Sequence, residues 1–286
     1  MNEEHNIGTA EEDDRVRSLR RVTALDDWPT TNNPVAPVRT IAVLDVETDG
    51  LDPQSDNVIE IAIALVDVDA AGRIVTIGDL ALVRQDPGRL IPPRISQLTG
   101  LTNADLARKG VNTSALAAFI NRAEAICAHN SRFDRGFCER MMPDIKPLPW
   151  LCSMNDVPWQ RLGYDGAKLG HLLMQNGLFA PRAHNAGDDV IALLNLLSCR
   201  LPGGKTVIGE AMANAQMRTV RIDAFQAPFR VKDELKRFGY RFDWRQKVWW
   251  IEVGQDEVER ELAWLKETAP FAEPRQTTIT WHERYR

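Results

Sequence analysis

The run "TIAVLDVE", Thr40 to Glu47, limits the fold more than any other stretch of this sequence. Its apolar residues suit a strand inside a sheet, yet it closes on two acids two residues apart. Side chains at i and i+2 of a strand share a face, so Asp45 and Glu47 project together while Leu44 and Val46 point the other way. Adjacent anions repel unless a cation lies between them. A solvated strand face is the plain alternative, and the pair alone does not decide between the two.

Two further strand-like runs follow, "NVIEIAIALVDVD" and "IVTIGDLALVR", with Gly, Asp and Pro in the links. Three strands with short links predict an antiparallel meander that opens a sheet. Beyond them "NTSALAAFINRA" and "RFDRGFCERMM" read as helices on either side of a short buried strand in "EAICAHN". Two more helices lie around "AKLGHLLMQNG" and "DDVIALLNLLSCR". Strands first, then strand and helix in alternation, predict an α/β fold in which helices cover a mixed sheet. Pro202 to Lys205, with two glycines, marks a boundary, and 286 residues at 44% hydrophobic leave length for a second, smaller unit. The expected division is a mobile polar arm over 1–37, a main domain over 38–201, a linker with a connecting helix over 202–218, and a small α+β module over 219–286. That module reads as strand, helix, a hairpin-like pair of strands and a closing helix.

The formal net charge of -5 argues against a broad, sequence-indifferent grip on nucleic acid, which draws on surplus Lys and Arg; a local basic groove remains compatible with it. Cys127, Cys138, Cys152 and Cys199 form no C-x-x-C pair and no His/Cys cluster, so neither a zinc site nor a disulfide framework is expected. The N-terminal residues lack the apolar core of a signal peptide, and no stretch approaches membrane-spanning length. A cytoplasmic protein with no membrane partner is the expectation.

More acids follow. Asp134 falls in the first turn of the helix after "CAHN", where the helix dipole favours an acid and Asn130 suits the cap. In "HNAGDDVIALLNLL", Asp189 shares a helix face with Leu193 and Leu196, whereas Asp188 lines up with Ala192 and Asn195. An ionised group on the apolar side is costly without a cation, so Asp189 is the better ligand candidate. His184 lies five residues earlier, about 140° around a helix, and reaches the same site only from just before the helix or from its frayed first turn.

In order along the chain, "DVETDGL", "AHNSRFD" and His184-x-x-x-x-Asp189 resemble the three motifs of the DEDDh exonucleases, which have a ribonuclease-H-like fold. "LIPPRISQLTGLTNADL" and "CSMNDVPWQRLGYDGAKLGHLLMQNGLF" are similar to the branch containing the DNA polymerase III epsilon subunit, so the resemblance covers about residues 38 to 200. It implies a mixed five-stranded sheet flanked by helices and a 3′-to-5′ exonuclease that releases nucleoside 5′-monophosphates from single-stranded DNA or RNA 3′ ends. It also implies two divalent cations, Mg²⁺ or Mn²⁺, held by Asp45, Glu47, Asp134 and Asp189, with His184 as general base. The sister DEDDy group carries a tyrosine four residues before the last aspartate, a position that is Asn185 here. Substrate contacts are implied at Thr48, Gly50, Leu51 and Asn130, with backbone approach at Gly50 and an apolar wedge after the first strand. Phe133 has two readings, stacking on a base or packing in the core. Close relatives often read H-R-A in the third motif, and Asn185 replaces that arginine. A non-catalytic nucleic-acid-binding or adaptor protein on the same fold is the competing function, and the complete acid set argues against it.

Between Arg218 and Lys247 the module carries nine basic residues against four acids, interleaved with six aromatics such as Phe238, Phe242 and Trp244. Charge with aromatic faces suits single strands. The alternation in "FGYRFDWRQKVWW" equally suits a hairpin whose aromatics form a small core, and that reading is favoured. A role in holding substrate or a protein partner is expected of the module.

Overall fold

The computed structural model describes residues 17–29 and 31–286. Two residues of the N-terminal segment, β1 (Arg20–Arg21), open the described chain. The meander follows as β2 (Arg39–Thr48), β3 (Val58–Val68) and β4 (Ile74–Arg84), paired antiparallel in sequence. Three short helices, α1 (Pro93–Thr99), α2 (Asn103–Leu106) and α3 (Thr113–Ile120), lead to β5 (Ala125–Ala128), which lies parallel to β2. Then come α4 (Ser131–Met141) and β6 (Trp150–Cys152), parallel to β5. The sheet order is β4-β3-β2-β5-β6, a mixed five-stranded sheet of ribonuclease-H-like arrangement. Its fifth strand is only three residues, "WLC", too short to show a period of its own in the sequence.

After β6 the chain forms α5 (Leu169–Gln175), β7 (Leu178–Phe179), α6 (Ala186–Ser198) and α7 (Val207–Gln216). One face of the sheet, with Ile41, Val43, Ala62 and Ala64, buries against Val190, Leu193 and Leu197 of α6 and Val207 and Ala211 of α7. The opposite face, with Ala42, Leu44, Ile61 and Ile63, buries against Leu116 and Ile120 of α3 and Phe137 of α4. A fully buried aliphatic or aromatic side chain of this kind contributes roughly 1.5–3 kcal/mol. The alternation that puts Ile41 and Val43 under α6 puts Asp45 and Glu47 on that same face.

Three expectations change. Residues 202–218 are not simply a linker, because Val207, Ile208, Ala211 and Ala215 make α7 part of the main core. From Arg20 the N-terminal segment is docked rather than free: β1 pairs with β7, and Thr23 N–H donates to Asn195 Oδ1 at 2.8 Å. The remainder of the expected arm, residues 1–16, lies outside the described residues. The module carries a fourth strand: β8 (Thr219–Phe225), α8 (Lys232–Arg237), β9 (Arg241–Asp243), β10 (Val248–Gly254) and α9 (Val258–Thr268) are followed by β11 (Glu273–Ile279), giving the order β11-β8-β10-β9. That strand hides in the sequence because it is an edge strand, "EPRQTTI", with almost every side chain exposed and no apolar alternation to read.

Phe242 packs on Trp249, and Trp264 stacks on Phe238 and Tyr240, so these aromatics build the module itself. The last residues return to the main domain: Trp150 N–H donates to Trp281 O, and the buried Arg135 donates to Arg284 O and His282 O at 2.8 Å each. All four cysteines are free thiols, three of them buried. Among the described residues, no helix is long and apolar enough to cross a membrane.

Candidate active site

Asp45 and Glu47 stand near the end of β2, half-buried, and a register shift between Glu47 and Thr48 bends the strand there. Asp189 lies in the first turn of α6. His184 precedes that helix by two residues, with φ of 62°, a left-handed conformation that frees it from the helical rotation. Its backbone N–H donates to Asp189 Oδ2 at 2.8 Å, and its ring remains exposed. One ligand atom each of Glu47, His184 and Asp189 lies within 4.8 Å of the others. Asn185 caps α6, its side-chain oxygen accepting the Asp188 N–H at 3.2 Å. Asp188 turns away to an ion pair with Arg182 at 2.8 Å.

Asp134, 2% exposed, enters from the first turn of α4, which starts where β5 ends. It and Asp45 lie outside the 4.8 Å set but act on it through charge. Burial first, then the charges of Asp134, Asp189, Glu47 and Glu60, hold the Asp45 carboxyl well above the usual carboxylate range. Burial, followed by Asp189, Glu60 and Asp134, pushes Glu47 up to about 8. Burial also pushes Asp134 up to about 8, against hydrogen bonds from backbone N–H groups that favour its charge. Asp189 is raised by burial, partly offset by the His184 N–H. Several carboxylates thus share a poorly hydrated site that favours their ionised forms only when a cation is present. Oxygen donors with one imidazole suit hard divalent ions, so the residues fit Mg²⁺ or Mn²⁺.

One member of the cluster escaped the sequence reading. Glu60 on β3, fully buried, stands directly across from Glu47 in the strand register. Its Oε1 accepts from Arg84 Nε at 2.7 Å and its Oε2 accepts the Ala186 N–H at 2.9 Å, which ties β3 to the first residue of α6. "NVIEIAIALV" shows a lone acid in an apolar strand, the one available hint, but only the fold shows what it meets.

Beside the acids, the loop after β2 is pinned from outside. Arg89 donates to both Asp49 oxygens at 2.6 and 2.8 Å and to Asp56 at 2.8 Å, while Arg140 donates to Gln54 O. Leu51, 82% exposed, rides on this loop. Thr48 is buried and its hydroxyl donates to Gly50 O. A Cβ on Gly50 would come within 2.1 Å of Asp56 Oδ2, so a larger residue there would displace the Asp56 side chain from Arg89 and the Asp52 N–H. Asn130 occupies the cap position of α4 in a left-handed conformation, φ 79°, and its side chain makes no cap hydrogen bond. The expected cap contact is therefore absent: the residue holds a left-handed conformation instead of the extended one usual at a cap, and its side chain is exposed. Phe133 is half-buried against Phe137, ring centroids 4.9 Å apart. His129, held between Ser153 Oγ and Ala167 O at 2.8 Å each, is pushed down to about 4 by burial and stays neutral.

Residues 42–197, more than half the chain, match the RNase_T exonuclease family, and the chain belongs to that family as a DEDDh-type exonuclease domain. Among its relatives, the DNA polymerase III subunit epsilon of Treponema pallidum is 27% identical over 185 residues, 62% of this chain and 83% of that protein. The PolC-type DNA polymerase III of Thermotoga petrophila is 38% identical over 156 residues, 52% of this chain but only 11% of that much longer protein. Among solved structures, exonuclease X in complex with 5′ overhanging duplex DNA superposes with a TM-score of 0.43 at 25% identity, over 55% of this chain and 89% of that one.

Proposed function

We propose that the protein is a metal-dependent 3′-to-5′ exonuclease that releases nucleoside 5′-monophosphates from the 3′ end of a single strand, DNA in the first instance. The observation that carries this is the convergence of Glu47, Asp189 and His184 within 4.8 Å, with Asp45 and the buried Asp134 beside them. Kinship with a DNA polymerase III subunit supports DNA as substrate. Asp45, Glu47, Asp134 and Asp189 would hold two divalent cations, which supply a nucleophilic water and neutralise charge on the leaving 3′ oxygen. His184, exposed and outside the helix, takes the proton from the attacking water. Asp189, accepting the His184 backbone N–H, fixes where that imidazole starts. Leu51, projecting from the pinned loop, wedges against the terminal base, and Thr48, Gly50 and Asn130 border the terminal nucleotide. Phe133 offers its free edge to the next base.

The test is a 5′-labelled single strand incubated with the protein and Mg²⁺ or Mn²⁺. A descending ladder is expected, abolished by EDTA and slowed by about 10³ or more in Asp45→Ala, the loss of roughly 4 kcal/mol of barrier lowering. Tight strand binding with no ladder in either metal would leave the adaptor reading instead.

A further inference from the structure

Between the face of the C-terminal sheet away from α8 and α9 and a wall formed by residues 155–161, α7 and Arg132 of α4 lies a cleft of about 570 Å³. Alternation along β10 sends Trp249, Ile251 and Val253 toward the module's own core and leaves Trp250 on the cleft face. There the Trp250 ring is flanked by three guanidinium groups, Arg221 at 4.6 Å and Arg132 and Arg241 at 5.8 Å each from the ring centroid. Arg132 comes from the first turn of α4, two residues before Asp134, so the cleft adjoins the helix that carries one of the site's acids.

The charges of this cleft are sorted. Each acid on its wall is engaged internally: Asp156 with Cys152 N–H and Tyr285 OH, Glu210 with Lys205, Glu252 with Arg284, and Glu257 with Arg260. Arg132, Arg161 and Arg241 also line it, all exposed, and among the described residues no Asp or Glu side chain pairs with any of them. Arg132 reaches only the terminal carboxyl oxygen of Arg286, a long contact at 3.4 Å. A protein of net charge -5 here presents uncompensated cations on an aromatic floor, complementary to a polyanion whose bases can stack.

We propose that this cleft holds the phosphodiester backbone of the substrate single strand upstream of the 3′ end, with Arg132, Arg161 and Arg241 as phosphate contacts and Trp250 as the surface that orders the guanidiniums. The assignment rests on the nuclease reading for its occupant, and what links cleft and site is that Arg132 and Asp134 share the first turn of α4. An acidic protein segment is the competing occupant.

The experiment measures binding apart from cleavage. A 5′-fluorescent 30-mer single strand is titrated with the full chain in EDTA, by anisotropy, across a salt series. For the paired substitution Arg161→Glu and Arg241→Glu, Kd should rise about tenfold or more. The slope of log K against log salt should shrink by about 1.4, at about 0.7 per phosphate contact on a single strand. The paired Arg161→Gln and Arg241→Gln variant, which adds no charge, should lose the same slope with a smaller change in Kd, and it stands in if the Glu pair does not fold. Wild-type binding that is absent, or unchanged Kd and slope in the variants, overturns the proposal and leaves the cleft to a protein partner. Loss of binding in the variants alongside a wild type that gives no ladder in Mg²⁺ or Mn²⁺ would instead retain the cleft and remove the nuclease reading.

Discussion

Glu47 and Asp134 keep their protons far longer than ordinary carboxylic acids, both up to about 8: burial penalises the ionised form of each, and neighbouring acids add to it at Glu47. A carboxyl whose folded value is raised stabilises the fold below the ordinary carboxylate range of about 4 and loses that contribution as pH rises through the folded value. The EDTA-treated protein should therefore melt at progressively lower temperature between about pH 5 and pH 8, and Mg²⁺ or Mn²⁺ should restore Tm more at pH 8 than at pH 5. Calorimetry at the two pH values checks this; a metal-free Tm that does not fall would refute the account of a charge-strained site. Asp45→Asn, by removing one of the repelling charges, should raise Tm in EDTA at pH 8 even as it disables cleavage.

At the scale of elements, the site is the meeting of two short pieces of backbone, the bent end of β2 and the start of α6, and Glu60 connects them. Its two oxygens bridge Arg84 on β4 and the Ala186 N–H, two residues after His184. Glu60→Ala should lower kcat about tenfold with little change in KM, because it releases the helix start and lets His184 drift while the substrate contacts persist. Glu60→Gln, which retains an acceptor, should recover part of the rate; equal kcat in all three proteins would assign Glu60 to packing alone. The sequence rules worked well for what lies within one element. The i, i+2 rule put Asp45 and Glu47 on one face, and helix periodicity separated Asp189 from Asp188. Periodicity failed where a segment was short or solvent-facing, as in β6 and β11, and where an apolar helix, α7, read as a connector.

On the scale of the whole molecule, the last residues tie the module to the main domain. Arg135 is buried, and its guanidinium is satisfied by Arg284 O and His282 O together with Glu139, while the Tyr285 hydroxyl donates to the buried Asp156 at 2.6 Å. Deleting residues 280–286 leaves Arg135 short of two acceptors and uncovers Asp156, a loss of about 3 kcal/mol or more. Urea titration should show the midpoint falling accordingly, and an unchanged midpoint would mean the tail is dispensable.

The sequence by itself determined the meander β2 to β4, the strand β5 and the helices α3 to α6, the shared face of Asp45 and Glu47, and the choice of Asp189, because each depends on the repeat of a single strand or helix. Tertiary structure alone decided that Glu60 and Arg89 support the site, that Asn130 makes no cap bond, and that Arg132, Arg161 and Arg241 converge around one cleft. The Arg89–Asp49 and Glu60–Ala186 contacts join residues 40 and 126 positions apart, and no local periodicity encodes which distant side chain will fill a given space.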